Sequence, residues 1–132
     1  MKLITRDTDY ALRALCFIAK DKEKIISVAE LVQTLKIPRP FLRKILQVLN
    51  KKKILKSYKG KGGGFLLALP LRKIFLVNLI EIFQGPLRLN ECFFKKIACP
   101  RRKTCALKKK IDGIERYVIK ELNSVTLASL LN

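Results

Sequence analysis

The stretch that decides the fold is residues 27–69, SVAELVQTLKIPRPFLRKILQVLNKKKILKSYKGKGGGFLLAL. It opens with a capping box, because Ser27 stands three residues before Glu30, and an apolar helical face follows. Residues 36–39 make a short turn, and Pro40 suits the first position of a third helix. The inward stripe of that helix is predicted to be Phe41, Leu42, Ile45, Leu46 and Leu49. Two helices joined by so tight a turn form a helix-turn-helix.

A β-hairpin is predicted directly after the third helix. Two short β-runs, residues 54–58 and 65–69, are separated by residues 59–64, KGKGGG. Four glycines in six residues indicate a backbone that turns sharply or closely approaches another molecule. The pattern therefore predicts a hairpin with a basic tip, which is the wing of a winged helix-turn-helix.

Helices are also predicted on both sides of this stretch. Apolar residues at helical spacing predict a first helix, with Asp7 or Thr8 as its N-cap. Later helices are predicted over 76–84, where Gly85-Pro86 ends the helix, and over 106–122 and 125–130. The predicted fold class is mainly α with a small β-hairpin wing. Its parts are a winged helix-turn-helix domain over 1–85, a cysteine-bearing loop over 86–105, and a long helix with a short final helix over 106–132.

The composition indicates a polyanionic partner and argues against an enzyme. The chain has 29 Lys and Arg against 10 Asp and Glu, a net charge of +19 at pH 7, which suits DNA, RNA or an acidic membrane surface. No apolar signal-peptide core or membrane-spanning stretch is visible, so a cytoplasmic location without a membrane partner is expected. The chain has no histidine, no visible nucleophile–base pair and no phosphate-binding glycine motif. Neither an enzyme nor a small-molecule substrate is predicted.

Basic residues are concentrated on the helix-turn-helix and the wing. Between Lys36 and Lys61 there are ten basic residues and no acidic one. The residues predicted to contact double-stranded DNA are Arg39, Arg43 and Lys44 on the third helix, in the major groove, and Lys59 and Lys61 on the wing. A charge run can also be no more than a solvated face. The position of this one, on the two elements that would touch DNA, favours the binding function.

Three of the four cysteines lie in the predicted loop. Cys92, Cys99 and Cys105 can converge on one soft metal centre, since thiolates from one loop are suitable ligands for it. Their spacing matches neither a zinc Cys-x-x-Cys pair nor a ferredoxin motif, so a cluster, a zinc site and three free thiols all remain open. Cys16 falls on the apolar side of the first helix, where a buried structural thiol is expected.

Several separated motifs occur along the chain in the order found in one family. They are residues 8–13 (TDYALR), 37–42 and 44–46 (IPRPFL and KIL), 59–65 (KGKGGGF), 84–87 (QGPL) and 125–130 (VTLASL). Together they resemble the Rrf-type family of bacterial winged-helix transcriptional regulators, and the match runs nearly end to end. Lys59 departs from the arginine that often opens the wing. Arg43 and Lys44 stand where IscR-like members have an acidic and an amide reader, so the operator sequence cannot be carried over.

The resemblance implies a homodimer held by the long C-terminal helix and bound to a partly palindromic operator. It also implies an iron–sulfur cluster, [2Fe–2S] or [4Fe–4S], on the three loop cysteines, because the iron–sulfur members have cysteines of this spacing before the long helix. For the fourth ligand, Lys108 stands where IscR-like members have a histidine. Asp9 falls where NsrR-like members use an aspartate from the partner subunit, and solvent or a small thiol is the alternative.

The function predicted from these features is a repressor or activator that senses iron, nitric oxide or redox state. Two other functions remain open. One is a metal-free architectural or RNA-binding protein, for which the cysteines would be incidental. The other is a cluster-free DNA-binding repressor regulated by thiol oxidation or by a protein partner, as in CymR-type members of the family.

Overall fold

The computed structural model of the chain describes residues 2–89 and 105–131. Its elements in chain order are α1 (Arg6–Ile18), α2 (Val28–Leu35), α3 (Arg39–Lys51), β1 (Leu55–Tyr58), β2 (Gly64–Leu67), a 3-10 turn (Leu71–Lys73), α4 (Leu76–Gln84), α5 (Ala106–Asn123) and α6 (Leu127–Leu131). The predicted fold class, mainly α with a small β-hairpin wing, is confirmed. The division into three parts stays a prediction, because residues 90–104 of the predicted cysteine-bearing loop lie outside the described residues.

The helix-turn-helix consists of α2 and α3. The Ser27 hydroxyl accepts a hydrogen bond from the Glu30 N–H at 3.1 Å and so caps α2, as the capping box predicts. Lys36 ends α2 in the left-handed conformation, with φ 59°, and the chain turns directly into α3. The third helix begins at Arg39, one residue before the predicted start at Pro40.

The predicted inward stripe of α3 is correct at four of its five positions. Leu42, Ile45, Leu46 and Leu49 are buried in the core. Phe41 is not, because 41% of its surface is exposed. At about 100° per residue, Phe41 lies about 90° from the centre of the buried stripe, at the border of the exposed face.

The wing is a two-stranded antiparallel hairpin with a register from Leu55 opposite Leu67 to Tyr58 opposite Gly64. Its strands are shorter than the predicted runs over 54–58 and 65–69. Two backbone hydrogen bonds attach its base to the segment before α2, from Ile26 N to Phe65 O at 3.0 Å and from Phe65 N to Ile26 O at 2.8 Å. A Cβ at Gly64 would overlap the Ile26 carbonyl, so this close approach requires glycine.

The C-terminal segment after α5 packs back against the start of α4. α4 spans the predicted residues, and Gly85, whose φ is 79°, is its C-cap. After α5, Val125 O accepts a hydrogen bond from Leu76 N at 3.0 Å, and Leu127 N donates to Ile74 O at 2.9 Å. Leu127 is fully buried, whereas no residue of α5 is. Within the described ranges, no helix combines the length and apolar character needed to cross a membrane.

Candidate functional site

The exposed face of α3 carries the basic residues that the sequence predicts there. Arg39, Arg43, Lys44 and Gln47 are all exposed, while the apolar stripe on the other side is packed against α1 and α2. The first turn of α3 contains no acidic residue. The helix therefore presents cations and an amide to solvent on a rigid base, which suits the electronegative major groove of DNA.

The wing presents a second set of cations. Lys59 and Lys61 lie in the turn between β1 and β2, and both are exposed. The turn is formed by Gly60 and Gly62, whose φ values of 88° and 80° are in the region that favours glycine. The tip therefore consists of two flexible lysine side chains on a narrow backbone, which suits contacts to phosphates or to a minor groove.

Arg6, for which no sequence pattern predicts a role, lies beside α3. The Arg6 guanidinium is 4.5 Å from the centre of the Phe41 ring and 6.0 Å from that of Tyr10. No local pattern connects Arg6 with Phe41, because the two residues meet only through the packing of α1 against α3.

The start of α1 differs from the prediction that Asp7 or Thr8 is its N-cap. The N-cap is Thr5, whose carbonyl accepts from the Asp9 N–H at 3.0 Å. Thr8 is fully buried, and its hydroxyl donates to Gln84 Oε1 at 2.6 Å. Thr8 is therefore part of an internal hydrogen-bond network and does not cap the helix.

Asp9, the candidate fourth ligand, lies in the first turns of α1. Its Oδ2 is 3.0 Å from Arg13 Nε, one helical turn later, and 42% of its side chain is exposed. A carboxylate in such an exposed ion pair is accessible and weakly held. The Asp9 carboxylate can therefore bind a metal without the loss of a buried salt bridge.

The candidate metal-binding cysteines are only partly within the described residues. Cys105 is the N-cap of α5 and is half-buried, whereas Cys92 and Cys99 lie outside the described residues. Over residues 2–89 and 105–131, no group of three metal-ligating side chains is found. Lys108 donates to Asp112 Oδ2 at 2.6 Å, so it forms an ion pair within α5.

Cys16 is half-buried and packs against the core through the apolar side of α1. Burial raises the pKa of its thiol, an effect that nearby Lys20 partly offsets. A thiol that stays protonated at neutral pH is a poor metal ligand. Its packing is consistent with the structural role predicted for it.

A helix-turn-helix with a basic recognition face and a basic wing defines the winged-helix class of DNA-binding proteins. A family model named Rrf2, described as an iron-dependent transcriptional regulator, matches residues 4–132. The chain belongs to this family of transcriptional regulators. The resemblance seen in the sequence is thereby confirmed, as is the prediction of a DNA-binding regulator rather than an enzyme.

Individual relatives agree with this assignment. The chain is 32% identical over 126 residues to the HTH-type transcriptional regulator NsrR of Oceanobacillus iheyensis, covering 94% of this chain and 86% of the relative. Among solved structures, CymR, the global cysteine regulator of B. subtilis, is similar with a TM-score of 0.77 at 24% identity, over 99% of this chain and 97% of CymR. T. potens IscR is similar with a TM-score of 0.76 at 23% identity, over 99% and 86%. These two structures share the fold.

Proposed function

We propose that the protein is a homodimeric repressor or activator that binds a partly palindromic operator and senses iron, nitric oxide or redox state through an iron–sulfur cluster. The observation that carries the DNA-binding part is the exposure of Arg39, Arg43 and Lys44 on α3 in the same domain as the basic wing tip. Arg43 can donate two hydrogen bonds to one guanine, at O6 and N7, and Lys44 can contact a backbone phosphate. Lys59 and Lys61 extend the contact to the neighbouring groove or backbone.

Two copies are proposed to associate through α5. The residues Leu107, Ile114 and Tyr117 of this helix are 65%, 43% and 65% exposed. Their spacing of seven and three residues places them along one side of the helix, with Ile111 and Val118 beside them. We infer that a second copy of this chain covers the stripe, since a two-fold axis pairs such a stripe with itself and buries it symmetrically.

The cluster is proposed to bind to Cys92, Cys99 and Cys105, with Asp9 of the partner subunit as the fourth ligand. The description of the family as iron-dependent supports an iron centre. The donor set fits it, because cysteine thiolates are the usual ligands of iron–sulfur clusters and a residue other than cysteine can complete the set. Basic residues around the two earlier cysteines, such as Lys95, Lys96 and Arg101, would favour thiolates.

The position of Cys105 suggests how the sensing loop affects the DNA-binding domains. Cys105 is the residue from which α5 starts, so a change in its ligation acts directly on the proposed dimer helix. α5 in turn packs on α4 of the DNA-binding domain. A bound cluster supplies a redox-active and nitric oxide-reactive centre. The switch works if the loaded state favours one arrangement of the two domains by a few kcal/mol.

The DNA-binding part of the proposal is tested by the affinity for duplex DNA at different salt concentrations. Contacts to about 6–10 phosphates predict that affinity falls by roughly three to five decades between about 50 and 200 mM salt. A selected operator should retain its advantage over a random duplex of equal length throughout. Equal affinity for both, or preference for RNA, would contradict the proposal and favour an architectural or RNA-binding protein.

A further inference from the structure

Arg6, the first residue of α1, is held in place by two aromatic rings at the junction of α1 and α3. Its guanidinium carbon lies 4.5 Å from the centre of the Phe41 ring and 6.0 Å from that of Tyr10. Cation–π contacts of these lengths stabilise a guanidinium over the face of a ring. The side chain is therefore oriented before any ligand arrives.

The hydrogen-bond donors of Arg6 remain accessible in this position. A ring stacked on the guanidinium covers its face and leaves the N–H groups, which lie in its plane, directed outward. In the part of the chain that the structure describes, its ionic contact is a distant one, 3.8 Å from Nε to Asp7 Oδ1, and 60% of the Arg6 side chain is exposed. Such an exposed pair contributes little and competes weakly with an anion.

The ring that holds Arg6 belongs to the proposed recognition helix. Phe41 is in the first turn of α3 and is 41% exposed, so its ring is at the protein surface. From the pitch of an α-helix, Phe41 is about 60° from Lys44 around the axis. Arg6 therefore lies on the Lys44 side of the exposed face of α3, whereas Arg43 is about 160° from Phe41 around the axis.

We propose that Arg6, oriented by Phe41, is a further DNA contact that binds a backbone phosphate beside the major groove entered by α3. The inference rests on the proposed DNA-binding surface and extends it to α1. Phosphates fix the position of a protein on DNA but carry no sequence information. Arg6 thus increases the affinity of the protein for DNA of any sequence and leaves sequence recognition to α3.

Fluorescence anisotropy with a selected operator and a scrambled duplex of equal length tests this role. Arg6→Ala should weaken binding to both duplexes about three- to tenfold and reduce the salt slope by about one. Lys20→Ala is the matched control, because Lys20 lies beyond the other end of α1, with its Nζ 5.3 Å from the Phe17 ring. It removes the same charge and a similar aromatic contact, and it should change the affinity less than twofold.

A second substitution tests whether the ring positions the arginine. Phe41→Leu keeps an apolar side chain but removes the stacking face, so it should reduce binding to both duplexes as Arg6→Ala does. The double variant should then be no weaker than Arg6→Ala alone, and additive losses would contradict positioning by Phe41. Thermal unfolding of each variant checks that the domain is intact.

The results also separate this inference from the proposed function. If Arg6→Ala behaves as Lys20→Ala does while Arg43→Ala weakens operator binding, Arg6 is not a DNA contact and the recognition surface stands. A loss confined to the selected operator would contradict a phosphate contact. Failure of the wild-type protein to bind either duplex would contradict the proposed function itself.

Discussion

The hydroxyl of Thr8 donates a 2.6 Å hydrogen bond to Oε1 of Gln84, a residue 76 positions later in the chain. The same oxygen accepts from the Thr5 N–H at 2.9 Å, and Gln84 Nε2 donates to the Leu3 carbonyl at 3.1 Å. Gln84 is the last residue of α4, and Thr8 is fully buried. The Gln84 side chain thus connects the start of α1 to the end of α4 through hydrogen bonds. The candidate ligand Asp9 is next to Thr8 at the start of α1, and the predicted cysteine-bearing loop follows α4.

Replacing Gln84 by Ala is expected to destabilise the domain. It removes the 2.6 Å hydrogen bond of the buried Thr8 hydroxyl and leaves this group the longer 3.3 Å contact with Thr5 Oγ1. Loss of the acceptor of a buried polar group costs about 1–3 kcal/mol. The free energy of unfolding measured in urea should fall by that amount. Gln33→Ala, at an exposed position on α2, is the control and should change stability by less than about 0.5 kcal/mol. Equal effects of the two substitutions would show that the network does not stabilise the fold.

The helix-turn-helix and wing could be predicted because their signals are local. The capping box at Ser27, the apolar stripe of α3 and the glycine-rich turn of the wing each specify a conformation through neighbours in the sequence. The burial of Thr8 and the exposure of Phe41 could not be predicted in this way. Both depend on which distant element packs beside the residue, and periodicity alone assigns a position at the border of a stripe poorly.

The candidate site likewise has parts that local sequence signals predict and parts that depend on distant residues. Exposure of the basic residues on α3 follows from the stripe on its opposite side, so the sequence predicted it correctly. Whether Cys92 and Cys99 converge with Cys105 depends on residues 90–104, whose sequence has no regular apolar periodicity. The approach of Asp9 to that loop depends on a second chain. These parts of the site remain predictions.

Arg43→Ala and Lys59→Ala are expected to affect DNA binding differently. Loss of a bidentate guanine contact should cost about 1–3 kcal/mol on the operator and relax the sequence preference. Loss of a wing lysine should weaken binding to all sequences more evenly. Titrations of both variants on operator and random duplexes measure the two effects. Equal losses on both duplexes for both variants would contradict the assigned roles.

Ile114→Glu is expected to give monomers with poor operator binding. It would place an unpaired charge in the apolar contact between two copies of α5. Arg116→Glu is the control, since this exposed residue points to nearly the opposite side of the helix, and it should leave the dimer intact. Sedimentation at micromolar concentration measures both. A wild-type protein that is monomeric there, with or without a cluster, would refute the proposed dimer.

Substitution of Cys92, Cys99 or Cys105 by Ala is expected to abolish the visible absorption that anaerobic reconstitution with iron and sulfide produces. Each change removes a strong thiolate bond to the cluster. Cys16→Ala should leave the absorption unchanged, since this thiol packs against the core. A colourless wild-type protein would instead favour regulation by thiol oxidation or by a protein partner.

Asp9→Ala tests the fourth ligand separately. It removes only an oxygen ligand, so a cluster should still form but should be more labile and spectrally altered. Arg13→Ala is the matched control, because it breaks the same 3.0 Å ion pair and keeps the carboxylate. If Asp9→Ala behaves as the wild type does, the fourth ligand is another group and the three-cysteine site still stands.

The most direct test of cluster-controlled DNA binding is the affinity of one protein preparation for one selected duplex with the cluster loaded and after its removal. Anaerobic fluorescence anisotropy at fixed salt gives both values, with a scrambled duplex as the reference. A few kcal/mol of preference for one domain arrangement predicts a change of about tenfold or more on the selected duplex. Binding to the scrambled duplex should change little, because phosphate contacts dominate it. Equal affinities of the two forms for the selected duplex would contradict a cluster-controlled regulator.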